Sequence, residues 1–201
     1  MRAPIKAGLI VAVAVAVLAP ACSGDDAKPR PQAATSETTA STTATTIGST
    51  TTTVPADERA DVAVVRLLRL RNQAFAAPDP ALADAYLAPE CACYQQERTS
   101  LTNLRTQGWH WASPMFEVLG VKVTEASKPE LVTLTVVTRR PPERVVDSGG
   151  ALARPQGPGE EATGYSYLLV RKDGAWRIGD NFKLDLSPET IRKVMAAGIP
   201  S

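Results

Sequence analysis

The sequence predicts an α+β domain in which helices come first in the chain and an antiparallel sheet follows. Three observations predict this class. Apolar residues recur at helical spacing over 57–76, apolar and polar residues alternate after Gly108, and the pair Asp173-Gly174 separates two alternating runs. An Asp-Gly pair in that position is a strong signal for a β-hairpin. Because helices and strands occupy separate parts of the chain, the α+β class is favoured over an alternating α/β arrangement.

The chain begins with a segment typical of export signals. Arg2 and Lys6 flank the start of an apolar run from Ala7 to Ala21, which is shorter than the roughly 20 apolar residues that cross a bilayer. The stretch "VLAPAC" resembles the lipobox of bacterial lipoproteins. The resemblance implies that residues 1–21 are a lipoprotein signal peptide and that Cys22 carries the lipid anchor. Ordinary secretion and an uncleaved anchor are the alternatives.

Residues 22–55 are predicted to form a disordered linker. The segment "TSETTASTTATTIGSTTTTV" is almost entirely Thr, Ser and Ala, and it shows no apolar periodicity. Such a composition buries too little apolar surface to offset the entropy lost on ordering. A flexible coil of this length would average about 30 Å from end to end. The linker is interpreted as a spacer, and O-glycosylation of its threonines is an alternative role.

The first predicted helix spans residues 57–76, because its apolar residues recur at intervals of three and four. These residues are Val64, Leu67, Leu68 and Phe75. The charged side chains of Arg66, Arg69 and Arg71 are expected on the rest of the helix surface. This helix is therefore expected to cover the apolar face of the sheet.

Two shorter helices are predicted next. Asp79 followed by Pro80 is typical of an N-cap and a first helical position, so a helix is expected from there to about Leu87. The third helix ends at Gly108, a C-cap residue. Its apolar stripe is formed by Tyr94, Leu101 and Leu104. Because it is less apolar than the first helix, it is expected on the surface of the domain.

Alternation of apolar and polar residues predicts the strands that follow. The first two strands place on one face Leu119, Val121, Val123, Val132, Leu134 and Val136. Past the hairpin turn, the apolar face comprises Trp176, Ile178, Phe182 and Leu184. A short strand is expected over 143–147, followed by a long loop rich in Gly and Pro. Ser187, Pro188 and Gly198 are expected to cap, begin and stop a final helix.

The charge balance excludes some classes of partner. The 201 residues include 22 Lys and Arg against 21 Asp and Glu, with a net charge of +1. A nucleic-acid-binding domain needs a basic surface, so nucleic acid is not an expected partner. With 1 His and 3 Cys, the chain offers no pattern for tetrahedral zinc. No metal and no cofactor are expected.

Three parts of the sequence together resemble a known superfamily. They are the long first helix, the segment "DPALADAYLAPE", and the closing hairpin "YSYLLVRKDGAWRIGDNFK". This order resembles the nuclear transport factor 2-like superfamily, which includes SnoaL-like and ketosteroid-isomerase-like domains. The resemblance implies a cone-shaped fold over residues 56–201, with helices packed in a curved antiparallel sheet. Members include isomerases, dehydratases and non-catalytic binders, and the domains often pair as homodimers.

The resemblance also implies a catalytic alternative. In superfamily dehydratases a His paired with an Asp abstracts a proton, and here those residues would be His110 and Asp180. Against this, Trp109 and Trp111 share one face of a strand, so His110 takes the opposite face. A β-bulge at Gly179 that turns Asp180 outward is the favoured interpretation of that carboxylate.

Cys91 and Cys93 form an even pair once Cys22 is lipidated, and outside the cytoplasm such thiols tend to oxidise. A structural disulfide is favoured. Free or intermolecular thiols, a redox-active pair and a metal site are the alternatives.

Several large aromatic residues are candidates to line a pocket in the cone. They are Tyr86, Trp109, Trp111, Tyr165, Tyr167 and Trp176. The alternative is that they only fill the core. The sequence therefore predicts a lipid-anchored, non-catalytic binding or accessory protein on the extracytoplasmic face of the bacterial cell membrane. Its expected partner is a protein or an apolar small molecule, and the alternative is a ketosteroid-isomerase-like isomerase or dehydratase.

Overall fold

The computed structural model describes residues 57–201. The predictions made for the signal peptide, Cys22 and the linker fall on residues 1–56 and therefore lie outside the described residues. Between residues 57 and 201, no helix combines the length and the apolar character that crossing a membrane requires.

Within residues 57–201, three α-helices precede the main sheet and one follows it. Helix α1 spans Ala60–Ala76, a 3₁₀ turn at Pro80–Leu82 leads into α2 at Ala83–Tyr86, and α3 spans Tyr94–Gln107. Helix α4 spans Pro188–Ala197. The side chain of Asp79 accepts a hydrogen bond from the Ala81 N–H at 3.0 Å, Gly108 ends α3 with φ of 67°, and the side chain of Ser187 caps α4. The caps lie where the sequence predicts them, because capping chemistry is local.

The strands form two antiparallel sheets. A short one pairs β1, His110–Trp111, with β4, Val145–Val146. The main sheet has the order β2-β3-β5-β6, where the strands span Glu117–Lys128, Leu131–Arg140, Glu160–Lys172 and Ala175–Leu184. Asp173 and Gly174 join β5 to β6 with φ of 50° and 77°. Two positive φ angles are what a two-residue type I′ hairpin turn requires.

The core lies between the first helix and one face of the main sheet. Val64, Leu67 and Leu68 on α1 belong to one buried cluster with Leu134 on β3 and Ile178 on β6. Helices and an antiparallel sheet around one core confirm the predicted α+β class.

Helix α4 covers the other face of the main sheet. Val137 alternates with the inward-facing Val136, so it points away from α1, and it is nevertheless fully buried. Its partner Gly120 lets α4 approach closely, because a Cβ atom at Gly120 would lie 2.8 Å from the Cα of Met195. This contact requires a residue without a side chain.

Irregular strand pairing changes the predicted face of β6. Ile178 pairs with Leu169 and Asp180 with Leu168, so Gly179 is an extra residue that forms a bulge. The bulge reverses the alternation, and the expectation that Phe182 shares the buried face of Trp176 and Ile178 is wrong, since 56% of Phe182 is exposed. Val123 pairs in regular register with the buried Leu134 and so keeps its predicted face, but 45% of it is exposed.

Candidate functional site

A cavity of about 600 Å³ lies between α1, α3 and the β1 strand. One wall is apolar and is formed by Phe75, Leu104, Trp109, Trp111 and Met115. The rings of Phe75 and Trp111 meet edge to face with 5.8 Å between their centroids. This volume falls within the range typical of small-molecule sites.

Another part of the cavity lining is a polar stripe along α3. It begins at Cys93 and continues through Gln96, Ser100, Asn103 and Gln107. The intervals of three and four residues place these side chains on one face of the helix. The polar stripe offers uncharged hydrogen-bond donors and acceptors to a ligand.

A buried ion pair lies beside the cavity. The Nε and Nη2 atoms of Arg71 donate to the two carboxylate oxygens of Glu97 at 2.5 and 2.6 Å. The hydroxyl of Tyr86, itself fully buried, donates to the same carboxylate at 3.0 Å. Only 13% of the Arg71 side chain and 7% of the Glu97 side chain are exposed. The charges of the two residues compensate each other, so this part of the cavity carries no net charge.

This pair was not predicted from the sequence, although both residues interrupt apolar stripes. Arg71 lies between Leu68 and Phe75 on the buried face of α1, so placing it on the remaining helix surface was wrong. Glu97 lies in the same way between Tyr94 and Leu101 on α3, and all three of these residues are buried. Opposite charges in the middle of two apolar stripes are the signal that could have identified the pair.

Burial and the neighbouring charges set the protonation of this cluster. Burial alone would lower the pKa of Arg71, but the Glu97 carboxylate raises it above its usual value, so the guanidinium stays charged. Burial, followed by the Glu97 charge, raises the pKa of Tyr86 far above that of a free tyrosine. Burial also raises the pKa of Tyr167 to about 12. Both hydroxyls therefore remain protonated over the physiological range.

Asn72 fixes the loop that completes the apolar wall. Its Nδ2 donates to the carbonyl oxygen of Phe116 at 2.8 Å. Its Oδ1 accepts from the backbone N–H groups of Met115 and Phe116 at 3.0 and 3.3 Å. The Phe116 ring in turn lies 5.0 Å from the Arg71 guanidinium carbon. One side chain thus positions Met115 in the cavity wall.

The two candidate catalytic residues lie away from the cavity. His110 is half-buried on β1 opposite Val146, and Asp180 is exposed on β6 beside the bulge at Gly179. The Asp180 carboxylate accepts from the N–H of Asn181 at 2.8 Å. Neither residue lines the cavity. Across residues 57–201 there is no cluster of three His, Cys, Asp or Glu side chains that could hold a metal ion.

The predicted pocket aromatics separate into two groups. Trp109 and Trp111 line the cavity. Tyr86 and Tyr167 are fully buried core residues, and Tyr165 packs on Tyr167 with 6.4 Å between ring centroids. Trp176 is also buried, and its indole N–H donates to the carbonyl oxygen of Glu58 at 2.7 Å.

Cys91 and Cys93 are joined by a disulfide. Cys93 belongs to the cavity lining, whereas Cys91 is buried in the core cluster.

Comparison with known proteins yields structural likeness only. No protein-family model and no curated protein sequence matches the chain. The intermembrane space region of the chloroplast protein ARC6 is 12% identical, with a TM-score of 0.44 over 61% of this chain and 91% of that one. A protein with a cystatin-like fold from Caulobacter vibrioides is 14% identical, with a TM-score of 0.37 over 65% and 92%. A provisionally named scytalone dehydratase from Novosphingobium aromaticivorans is 14% identical, with a TM-score of 0.38 over 62% and 86%.

We expect Arg71 and Glu97 to be strongly coupled in a double-mutant cycle. Glu97→Gln or Arg71→Met alone leaves one buried charge unpaired, which costs about 3–5 kcal/mol of unfolding free energy. The double variant removes both charges and keeps an acceptor for Tyr86, so its cost should be smaller than the sum by about 1–3 kcal/mol. Urea unfolding measures each value.

A matched cycle on Lys193 and Glu189 is the control, because this i,i+4 pair is exposed on α4. Its coupling should stay below about 0.5 kcal/mol. Additive effects of Arg71→Met and Glu97→Gln would contradict the coupling.

The buried tyrosines should make the fold sensitive to alkali. The folded-state pKa values of Tyr86 and Tyr167 lie above the usual 10.0, so the unfolded chain loses these protons first and the unfolding free energy falls as pH rises past 10. Tyr86→Phe should make this fall shallower between about pH 10 and 12, by about 1.4 kcal/mol per pH unit at most. Urea unfolding of the wild type and of Tyr86→Phe at successive pH values measures this dependence of the unfolding free energy on pH.

Tyr94→Phe is the matched control, since that hydroxyl bonds to the exposed Asp84. An alkaline slope identical in wild type and Tyr86→Phe would reject the role of Tyr86.

Proposed function

We propose that this protein is a non-catalytic binding protein whose cavity takes a small molecule with an apolar body and a neutral polar end. The single observation that carries this proposal is the two-sided lining of the cavity. Aromatic and aliphatic side chains form one part of the lining, and uncharged polar side chains along α3 form another. The charged lining residues Arg71, Glu97 and Arg154 are all held in ion pairs.

The apolar wall favours a flat or aliphatic ligand body. Phe75, Trp109 and Trp111 supply aromatic surface, and the edge-to-face contact of Phe75 with Trp111 keeps two of the rings in place. Transfer of apolar ligand surface from water to such a wall supplies about 25 cal/mol for each Å² buried.

The polar wall and the ion pair favour a ligand without net charge. Gln96 and Asn103 carry amides that donate and accept, so they suit carbonyl, hydroxyl or amide groups. Glu97 engages two of the three guanidinium nitrogens of Arg71, and Arg154, the other cationic lining residue, pairs with Glu143, which weakens the attraction for an anion. A neutral or zwitterionic polar end is therefore the best match.

The arrangement of acids and bases supports binding rather than catalysis. A general base must reach the proton that it abstracts. His110 and Asp180 lie outside the cavity lining, and the Glu97 carboxylate accepts two hydrogen bonds from Arg71 and one from Tyr86. The isomerase or dehydratase alternative thus has no free base in the cavity wall.

We also propose that Cys22 anchors the protein to the extracytoplasmic face of a bacterial membrane. The support is the sequence of residues 1–22, with its basic start, its apolar run and the cysteine that follows. A small-molecule site carried on a Thr-rich linker suits a binding or accessory role at the envelope.

Filling the cavity should abolish binding of a neutral aromatic probe. We expect N-phenyl-1-naphthylamine to bind the full chain saturably, with a rise in its fluorescence. Ser100→Trp places an indole on the polar stripe and should weaken binding by about tenfold or more, equivalent to about 1.4 kcal/mol. Thr99→Trp, exposed on the neighbouring face of α3, is the matched control and should bind as wild type does.

Equal loss of probe binding in Ser100→Trp and Thr99→Trp would show that the cavity is not the site. Absence of saturable binding to the wild type, repeated with neutral lipids and steroid-like probes, would remove the small-molecule proposal.

Replacing Cys22 should abolish anchoring. In a bacterium that processes lipoproteins, the full chain should incorporate labelled palmitate and fractionate with membranes. Cys22→Ser should lose the label and either appear in the soluble fraction or remain unprocessed, because the acceptor thiol is gone. Ser23→Ala is the control and should behave as wild type does. A fully processed Cys22→Ser chain that stays on the membrane would refute lipid anchoring.

A further inference from the structure

The disulfide between Cys91 and Cys93 is not needed to hold the turn that contains it. The Cys91 N–H donates to the Ala88 carbonyl, and the Tyr94 N–H donates to the Cys91 carbonyl, both at 3.0 Å. The Ala88 N–H donates to Ile178 on the sheet at 2.9 Å. A disulfide that closes so short a loop also constrains the unfolded chain little. Its cleavage can therefore be a local event in a folded protein.

The two sulfur atoms differ in their access to the cavity. Cys93 is half-buried and forms part of the cavity lining, and its Sγ lies 3.9 Å from the amide nitrogen of Asn181, another lining residue. Cys91 belongs to the core and is only 4% exposed. A molecule in the cavity would reach the sulfur of Cys93 and not that of Cys91.

The backbone favours departure of Cys91 as the thiolate. Its Sγ accepts a hydrogen bond from the Cys93 N–H at 3.3 Å, at the start of the 14-residue helix α3. Burial in the core disfavours a Cys91 thiolate, and this hydrogen bond together with the positive end of the helix dipole offsets part of that penalty. A stabilised leaving thiolate accelerates thiol–disulfide exchange.

The polar stripe indicates the class of reactant. Gln96, Ser100 and Asn103 follow Cys93 along α3 on the same face, over about 15 Å at 1.5 Å per residue. Amide and hydroxyl side chains in such a row match the carbonyl and N–H groups of a short peptide-like molecule.

We propose that Cys91–Cys93 is a thiol–disulfide exchange site for low-molecular-weight, peptide-like thiols that enter through the cavity. The thiolate of the first molecule attacks Cys93 Sγ, the bond between the two cysteines breaks, and Cys91 leaves as a thiolate that takes up a proton. A second thiol then attacks the small molecule's sulfur in the mixed disulfide and releases Cys93. Two small thiols are oxidised to one disulfide, and the protein gains two electrons and two protons.

The test uses the full chain carrying Cys22→Ser, so that Cys91 and Cys93 are the remaining cysteines. The folded protein is incubated with N-acetylcysteinamide, a neutral peptide-like thiol, quenched with acid, alkylated and weighed by mass spectrometry, while circular dichroism monitors the fold. We expect both cysteines to become alkylated without unfolding. If the Cys91–Cys93 disulfide is reduced only when urea unfolds the protein, the proposal is overturned, and no further variant is needed to reach that conclusion.

Two single variants identify the attacked sulfur. With the disulfide of N-acetylcysteinamide, Cys91→Ser should gain one N-acetylcysteinamide on Cys93 about tenfold faster than Cys93→Ser gains it on Cys91, because Cys91 is buried. Equal rates would overturn the proposal. Ser100→Trp should slow reduction of the disulfide, while Thr99→Trp should not, and equal reduction of both would remove the cavity route.

This inference relies on the proposed function only for an accessible cavity. Exchange is measured by mass, and ligand binding is measured by fluorescence of the neutral aromatic probe. Loss of exchange with probe binding intact would reject the exchange site alone, and the reverse result would reject the proposed binding function alone.

Discussion

The buried pair of Arg71 and Glu97 is the interaction on which the rest of the site depends. Twenty-six residues separate them in the chain, and their contact joins α1 to α3. Burying either charge alone would carry a large desolvation penalty, so the two helices can bury these faces only when they meet in this register. Tyr86 adds a third partner from α2. The pair thus fixes how α1, α2 and α3 pack against one another, and the cavity beside them depends on that packing.

The chemical character of the cavity follows from this packing of the three helices. Because Arg71 and Glu97 neutralise each other, the remaining lining side chains determine which ligands the cavity favours. Helix α3 turns its buried stripe of Tyr94, Glu97 and Leu101 toward the core, and it turns its polar stripe toward the cavity. The aromatic part of the lining comes from α1 and from residues at β1. The proposed ligand binding and the proposed exchange at Cys93 both rely on one helix with two differently occupied faces.

Local chemistry explains which features the sequence could predict. The caps at Asp79, Gly108 and Ser187 and the Asp173-Gly174 turn depend on neighbouring residues, and they lie where expected. The exposure of Phe182 could not be predicted, because it depends on how β6 pairs with β5 past Gly179. The link between Arg71 and Glu97 joins two distant stripes. Each apolar stripe contains one charged residue, but only the tertiary structure shows that these two charges are in contact.

The three hydrogen bonds of Asn72 affect the conformational entropy that would be lost when a ligand binds in the cavity. They hold the backbone of Met115 and Phe116 from α1, so folding itself orders this part of the wall. Ordering a loop on binding usually consumes part of the gross interaction energy. Here that entropy is lost once, during folding. A single amide on a helix therefore makes the wall preorganised, and modest contacts would suffice for measurable affinity.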